Sequence, residues 1–208
     1  MDPFDEARVK NRYSRLLNKL KKTSKFTFRE LETLALLYSQ MKDGASFDRG
    51  KFKVFVHNSL DMTDSSMNDR IYENLDRDEA NWISINAFIR GMGIYLRGSQ
   101  QEQADFCFST YDIFKAKKLT RGTMYNLLRL CITRAPSDED ADEGAKDLVE
   151  LLFKFCDQDN DGSINLAEFR KGVSKEPLLM ETLGQCLPDR YARDTFSTAL
   201  AETPPSFY

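Results

Sequence analysis

Residues 157–168 read DQDNDGSINLAE, and that spacing decides the fold. Asp157, Asp159 and Asp161 stand at positions one, three and five of a twelve-residue loop, with Gly162 at six, Ile164 at eight and Glu168 at twelve. Calcium is a hard cation that takes about six to eight oxygen ligands. Three short carboxylates at alternate positions reach inward to one point, and the Ser163 carbonyl adds another oxygen. The longer Glu168 side chain closes the cage with two oxygens, and Asn165 is placed to hold a water. Gly162 permits a sharp turn that a β-carbon would resist. A plain acidic surface loop need not meet all of these requirements at once, and this one does. The expected metal ligands are therefore Asp157, Asp159, Asp161, Ser163 and Glu168, for one Ca2+ with Mg2+ as its competitor. Four carboxylates favour a sensor-range affinity, on the order of 10⁻⁷–10⁻⁵ M.

The loop also supplies a ruler. Its eighth residue is apolar and a large apolar residue follows five places on, as Ile164 and Phe169. The same spacing recurs in Phe47 and Phe52, in Ile83 and Phe88, and in Leu119 and Met124. Counting back places loop starts at Gln40, Asp76, Asp112 and Asp157, spaced by 36, 36 and 45 residues. A fixed period of this size means a repeated supersecondary unit, here helix–loop–helix. Thr27 with Glu30, and Ser99 with Glu102, have the spacing of capping boxes that open helices. Gly98 ends the apolar run through Met92, Ile94, Tyr95 and Leu96. The extra residues before the fourth unit fall in the acidic stretch 136–144, which reads as a loop followed by a helix start. The expectation is an all-α protein of four helix–loop–helix (EF-hand) units in two paired lobes. A basic N-terminal helix occupies 1–25, an N-lobe 26–96, a C-lobe 97–176, and a C-terminal helical extension and tail 177–208.

Three loops have lost their ligands. The second keeps Asp76 and Asp78 but has Ala80, Asn81 and Trp82 at five to seven and Ala87 at twelve. The third keeps Asp112 and then carries Lys115, Lys117 and Lys118, which put the wrong charge in the cage, with Thr123 at twelve. The first runs from Gln40 to Lys51 with little acid between. All three are expected to be empty, and to act as scaffold through short bridges between eighth positions, Phe47 facing Ile83 and Leu119 facing Ile164. With one ion per chain, binding has no partner site for cooperativity within the monomer.

The bulk numbers are those of an ordinary globular protein, 41% hydrophobic and 30% charged. No apolar run reaches membrane-spanning length, and the start is no secretory signal. Asp2 stands where N-myristoylation needs glycine, so a lipid anchor is not expected. Cys107, Cys131, Cys156 and Cys186 are widely spaced and read as reduced thiols of a cytoplasmic protein. The net charge of −3 hides an asymmetry. Residues 7–25 carry eight bases and no acid, which leaves −11 on the rest of the chain. That acidic bulk repels phosphate, so nucleic acid is not an expected partner.

Several features carry competing readings. Val9, Tyr13, Leu16, Leu17 and Leu20 form one helical stripe, which reads first as packing. The basic face beside it also suits docking to an acidic surface such as a tubulin tail. His57 is the sole histidine, which argues against a zinc site or a histidine triad. Trp82 is equally a partner-facing residue or a cover for the second hand. The methionines are scattered, and no phosphate loop or nucleophile motif appears. Leu178, Leu179, Met180 and Leu183 are candidates for a segment that plugs the C-lobe groove.

Beyond the hands, Met62-Thr63-Asp64, Leu96-Arg97-Gly98-Ser99 and Pro136-Ser137-Asp138-Glu139 resemble the calaxin family, ciliary relatives of the neuronal calcium sensors. So do Asp142-Glu143-Gly144, Lys146-Asp147-Leu148-Val149 and Cys186-Leu187-Pro188-Asp189, and the resemblance covers about 26–190. It implies a non-enzymatic calcium-binding adaptor on the outer dynein arm of ciliary or flagellar axonemes. Its partners would be outer-arm dynein and docking-complex coiled-coil proteins, within the cytoskeleton. The degraded second and third loops depart from the family's pattern, which weakens the implied calcium switching. Two alternatives stand beside it: a calcium-insensitive structural subunit of the docking complex, and a calcineurin B-like regulatory subunit of an enzyme.

Overall fold

Side-chain caps set where the helices begin. The Thr27 amide donates to Glu30 Oε2 at 2.7 Å, and the Glu30 amide to Thr27 Oγ1 at 3.3 Å, at the head of α2 (Phe28–Lys42). The Ser99 and Glu102 box opens α6 (Gln100–Tyr111) in the same way. Within the acidic stretch, residues 138–144 are helix. Ser137 caps α8 (Asp138–Cys156), whose first turn suits acids at the positive end of the helix dipole. A computed structural model of the chain describes residues 3–42, 44–75, 81–132 and 137–202.

The four units are all present. They are α2 with α3 (Arg49–Leu60), α4 (Ser65–Leu75) with α5 (Ile85–Arg97), α6 with α7 (Arg121–Arg129), and α8 with α9 (Leu166–Lys175). The chain is thus an all-α EF-hand protein, with α1 (Pro3–Leu20) before the hands and α10 (Arg190–Ala201) after them. Among the described residues the strands are two three-residue pieces, β1 (Lys118–Thr120) and β2 (Ser163–Asn165), and no helix is long and apolar enough to cross a membrane. The strands pair antiparallel with Leu119 opposite Ile164. In the first pair of hands the Ile83 amide donates to the Phe47 carbonyl at 2.9 Å. The Leu119–Ile164 bridge forms as the spacing requires, and Phe47 and Ile83 meet through that one hydrogen bond.

The chain divides into two compact units. The first holds residues 1–62, 75–97 and 188–208. Its core is aromatic: Phe47, Phe55, Phe88 and Tyr38 interlock at centroid separations of 5.5–6.4 Å. Most of these contacts are edge-to-face, the arrangement ring quadrupoles prefer. The stripe on α1 packs against α2, with Leu17 fully buried and Tyr13 edge-on to Tyr38, while Arg8, Arg12, Arg15 and Lys19 stay exposed. Helix α10 packs on α2, α3 and α5 through Ala192 and Leu200, with Phe196 edge-on to Phe55.

The second unit holds residues 63–74 and 98–187. The units therefore cut across the lobe boundaries drawn from the repeat. Most of α4 belongs with the third and fourth hands, where Asn74 Nδ2 donates to the Phe106 carbonyl at 3.2 Å and to Thr110 Oγ1 at 2.9 Å. The extension after residue 176 is also divided. Pro177–Leu183 is a 3-10 helix against α6, α8 and α9, with Leu179 and Leu183 buried. Tyr111 Oη donates to the Leu183 carbonyl at 2.6 Å and pins it. Leu178 is instead 61% exposed, and Met180 is half-buried.

Candidate metal centre

The fourth loop starts where α8 ends. Asp157 caps that helix, its amide donating to the Phe153 carbonyl at 3.0 Å. Its side chain is thus held at the loop's base, nearly buried, while Asp159 and Asp161 are exposed. The backbone then coils through Asn160 at φ 58° and Gly162 at φ 81°. The Gly162 amide donates to Asp157 Oδ2 at 3.2 Å, and the Asp161 amide to Asp159 Oδ1 at 3.1 Å. These bonds gather one oxygen each from Asp157, Asp159 and Asp161 to within 4.8 Å of one another. Glu168 leans back over the loop. Its Oε1 accepts from the Gln158 amide at 3.2 Å and its Oε2 from the Asn165 amide at 3.0 Å. Ser163 sits on β2, fixed by the pairing with Thr120. The five residues picked from sequence therefore lie around one loop, and carboxylates from three of them converge.

Electrostatics in the loop suit anionic oxygens. The Asp161 carboxyl is held below its usual range by the Ser163 hydroxyl, then by the Ser163 amide, against some burial, with Lys118 adding to the effect. Burial, followed by the nearby Glu168 charge, pushes the Cys156 thiol up to about 11. One atom is left over: Asp157 Oδ1 is buried and has no hydrogen-bond partner. A buried carboxylate oxygen without a partner is costly, so such an atom needs an explanation. An all-oxygen donor set with one buried orphan fits a hard cation.

The first and third loops are closed by their own groups. In the third, the Asp112 carboxylate accepts from the Ala116 amide at 2.8 Å and the Lys117 amide at 2.7 Å. Lys117 takes the left-handed turn at φ 59° where the fourth loop has Gly162. The three lysines, expected to put their charge in this loop, are instead exposed, and backbone amides satisfy Asp112. In the first loop Lys51, standing where the closing glutamate would be, donates from Nζ to the Lys42 carbonyl at 2.7 Å. The acids of the second loop, Asp76 and Asp78, and Ala80 lie outside the described residues. Trp82 beside them is 49% exposed.

Calaxin of Xenopus laevis is 34% identical over 171 residues, covering 79% of this chain and 82% of its own length. Calaxin of Danio rerio is 35% identical over 171 residues, and calaxin of Homo sapiens 34% over 160. The chain belongs to the calaxin family. No family model matches it. Guanylyl cyclase-activating protein 1 of Lithobates pipiens is similar at a lower level, 23% over 119 residues. Among the described residues, the fourth loop is where carboxylates converge in this calaxin-family chain.

One positioning residue escaped the sequence reading. Gly172 lies on α9 where a β-carbon would come 2.5 Å from Cys156 Sγ and 3.4 Å from the Phe155 carbonyl. It lets α9 lie close against the end of α8, and these are the helices that carry Glu168 and Asp157. A glycine inside a helical pattern is the signal that pointed to such a contact. His57 is exposed, in keeping with its reading as a surface residue.

Proposed function

We propose that this chain is a calcium-binding regulatory subunit of the axonemal outer dynein arm docking complex, modulating ciliary or flagellar motility without being an enzyme itself. Membership of the calaxin family supports the setting. The observation that carries the metal reading is the buried, partnerless Asp157 Oδ1 beside the converging Asp159 and Asp161 oxygens. Asp157, Asp159, Asp161, the Ser163 carbonyl and Glu168 would hold one Ca2+, with Mg2+ competing. A bound divalent charge would offset the mutual repulsion of four carboxylates. Outer-arm dynein and coiled-coil docking proteins are the proposed partners, and the exposed basic face of α1 suits an acidic surface such as a tubulin tail.

The test is a hydrophobic reporter dye titrated against the protein with and without calcium. A calcium-dependent rise in emission, lost in Glu168→Gln, supports a sensor. A flat response in the wild type refutes it. The self-closed first and third loops favour one competing reading, a structural subunit indifferent to calcium. Loss of axonemal association in a folded Glu168→Gln protein would count against that reading.

A further inference from the structure

Residues 113–118 of the third loop, Ile-Phe-Lys-Ala-Lys-Lys, are exposed one after another, Phe114 at 76% and Ile113 at 43%. Scattered exposed apolar residues are normal. Here two lie side by side beside three lysines on a fixed backbone. Asp112 accepts from two of the loop's amides, and Lys115 and Lys117 are held at φ 53° and 59°. Left-handed backbone at non-glycine residues persists only where its surroundings enforce it. The loop is also coupled to the metal centre. Lys118 pairs opposite Asn165 and Thr120 opposite Ser163, which ties this loop to the fourth through the strand bridge.

We propose that residues 113–118 are a docking surface for an acidic polypeptide segment with an apolar side chain, and that docking there and cation loading of the fourth loop strengthen each other. The lysines repel a cation approaching the fourth loop. At about 10 Å in a water-like dielectric, one lysine weakens divalent binding roughly fourfold before salt screening. Carboxylates of a docked segment cancel that repulsion, and by linkage a loaded cage attracts the segment more strongly. Phe114 and Ile113 supply the apolar half of the contact. A narrow acidic segment suits the loop better than a broad anionic membrane, which would face the chain's acidic bulk and the neighbouring carboxylates. The coupling half of this inference rests on the fourth loop being a cation site; the docking half does not.

The test is calorimetric titration of the full chain with calcium at low salt, with and without a synthetic glutamate peptide bearing a central phenylalanine. The peptide should raise calcium affinity about tenfold, and high salt should shrink the gain. Lys117→Gln with Lys118→Gln should raise peptide-free affinity by a similar factor and abolish the peptide effect. Phe114→Ser should weaken peptide binding severalfold and leave peptide-free calcium affinity alone. Lys21→Gln with Lys22→Gln, on the other basic segment, should leave the coupling intact. Ordinary calcium binding with no peptide effect, or coupling that survives the double Lys117 and Lys118 change, overturns the proposal. Coupling produced by phosphatidylserine vesicles but not by the peptide overturns the choice of partner. If the wild type takes up no calcium, the metal reading fails. The docking half is then decided by amide shifts: peptide-induced shifts at 113–118 support it, and their absence overturns it.

Discussion

Replacing Gly172 by alanine sets two effects against each other. In a bare helix the change should stabilise by about 1 kcal/mol, because glycine is the poorer helix former. Here the new β-carbon would stand 2.5 Å from Cys156 Sγ, and the Phe155 carbonyl is 3.4 Å away on the same side. Cys156 is fully buried, so the sulfur has nowhere near to move. Close-packed interiors transmit such strain, and overpacking of this kind costs about 1–3 kcal/mol. A separation short by more than 1 Å calls for the upper end of that range. Gly172→Ala should therefore lower stability by about 1–2 kcal/mol net, read by urea denaturation followed by circular dichroism. Cys156→Ala removes the obstructing sulfur. The double variant should recover most of the loss, with a coupling of about 2 kcal/mol in the cycle. A stabilised Gly172→Ala protein, or strict additivity with Cys156→Ala, would refute the close-approach argument.

Other perturbations follow from single contacts. Tyr111→Phe leaves the Leu183 carbonyl without its buried donor, so stability should fall by about 1–3 kcal/mol and amide exchange should quicken across the 3-10 helix. Burial pushes the Glu30 carboxyl up, but bonds from Arg97 and Thr27 outweigh this and hold it below 4.5. Its contribution is then complete above the unfolded value near 4.5 and fades as pH falls through the lower folded value. The stability gap between wild type and Glu30→Gln should be constant near neutrality and close in acid. Gly162→Ala meets no neighbour but forces alanine to φ 81°. It should cost about 1–2 kcal/mol in backbone strain, with weaker calcium uptake measured by calorimetry.

The local parts of this fold were legible in the chain. Capping boxes at Thr27 and Ser99 depend on residues three apart, and the loop ruler fixed which eighth positions would meet. The convergence of Asp157, Asp159 and Asp161 is equally local, set by alternate spacing and the turn at Gly162. Long-range choices were not legible. Nothing in the sequence of α4 says that Asn74 will bond to α6 rather than stay with its own hand. Nor does the apolar face of α10 name the aromatic core around Phe55 as its partner. The 3-10 segment shows the limit well: of its four apolar candidates Leu179 and Leu183 are buried, while Leu178, equally apolar, is exposed. Gly172 was overlooked because its meaning lies in Cys156, sixteen residues away and on another helix.

The most direct measurement is calcium calorimetry on the intact chain at physiological magnesium, repeated with Asp157→Asn. One ion per chain in the wild type, with uptake greatly weakened in the variant, is the predicted result. Two or more ions per chain, or none, would contradict it.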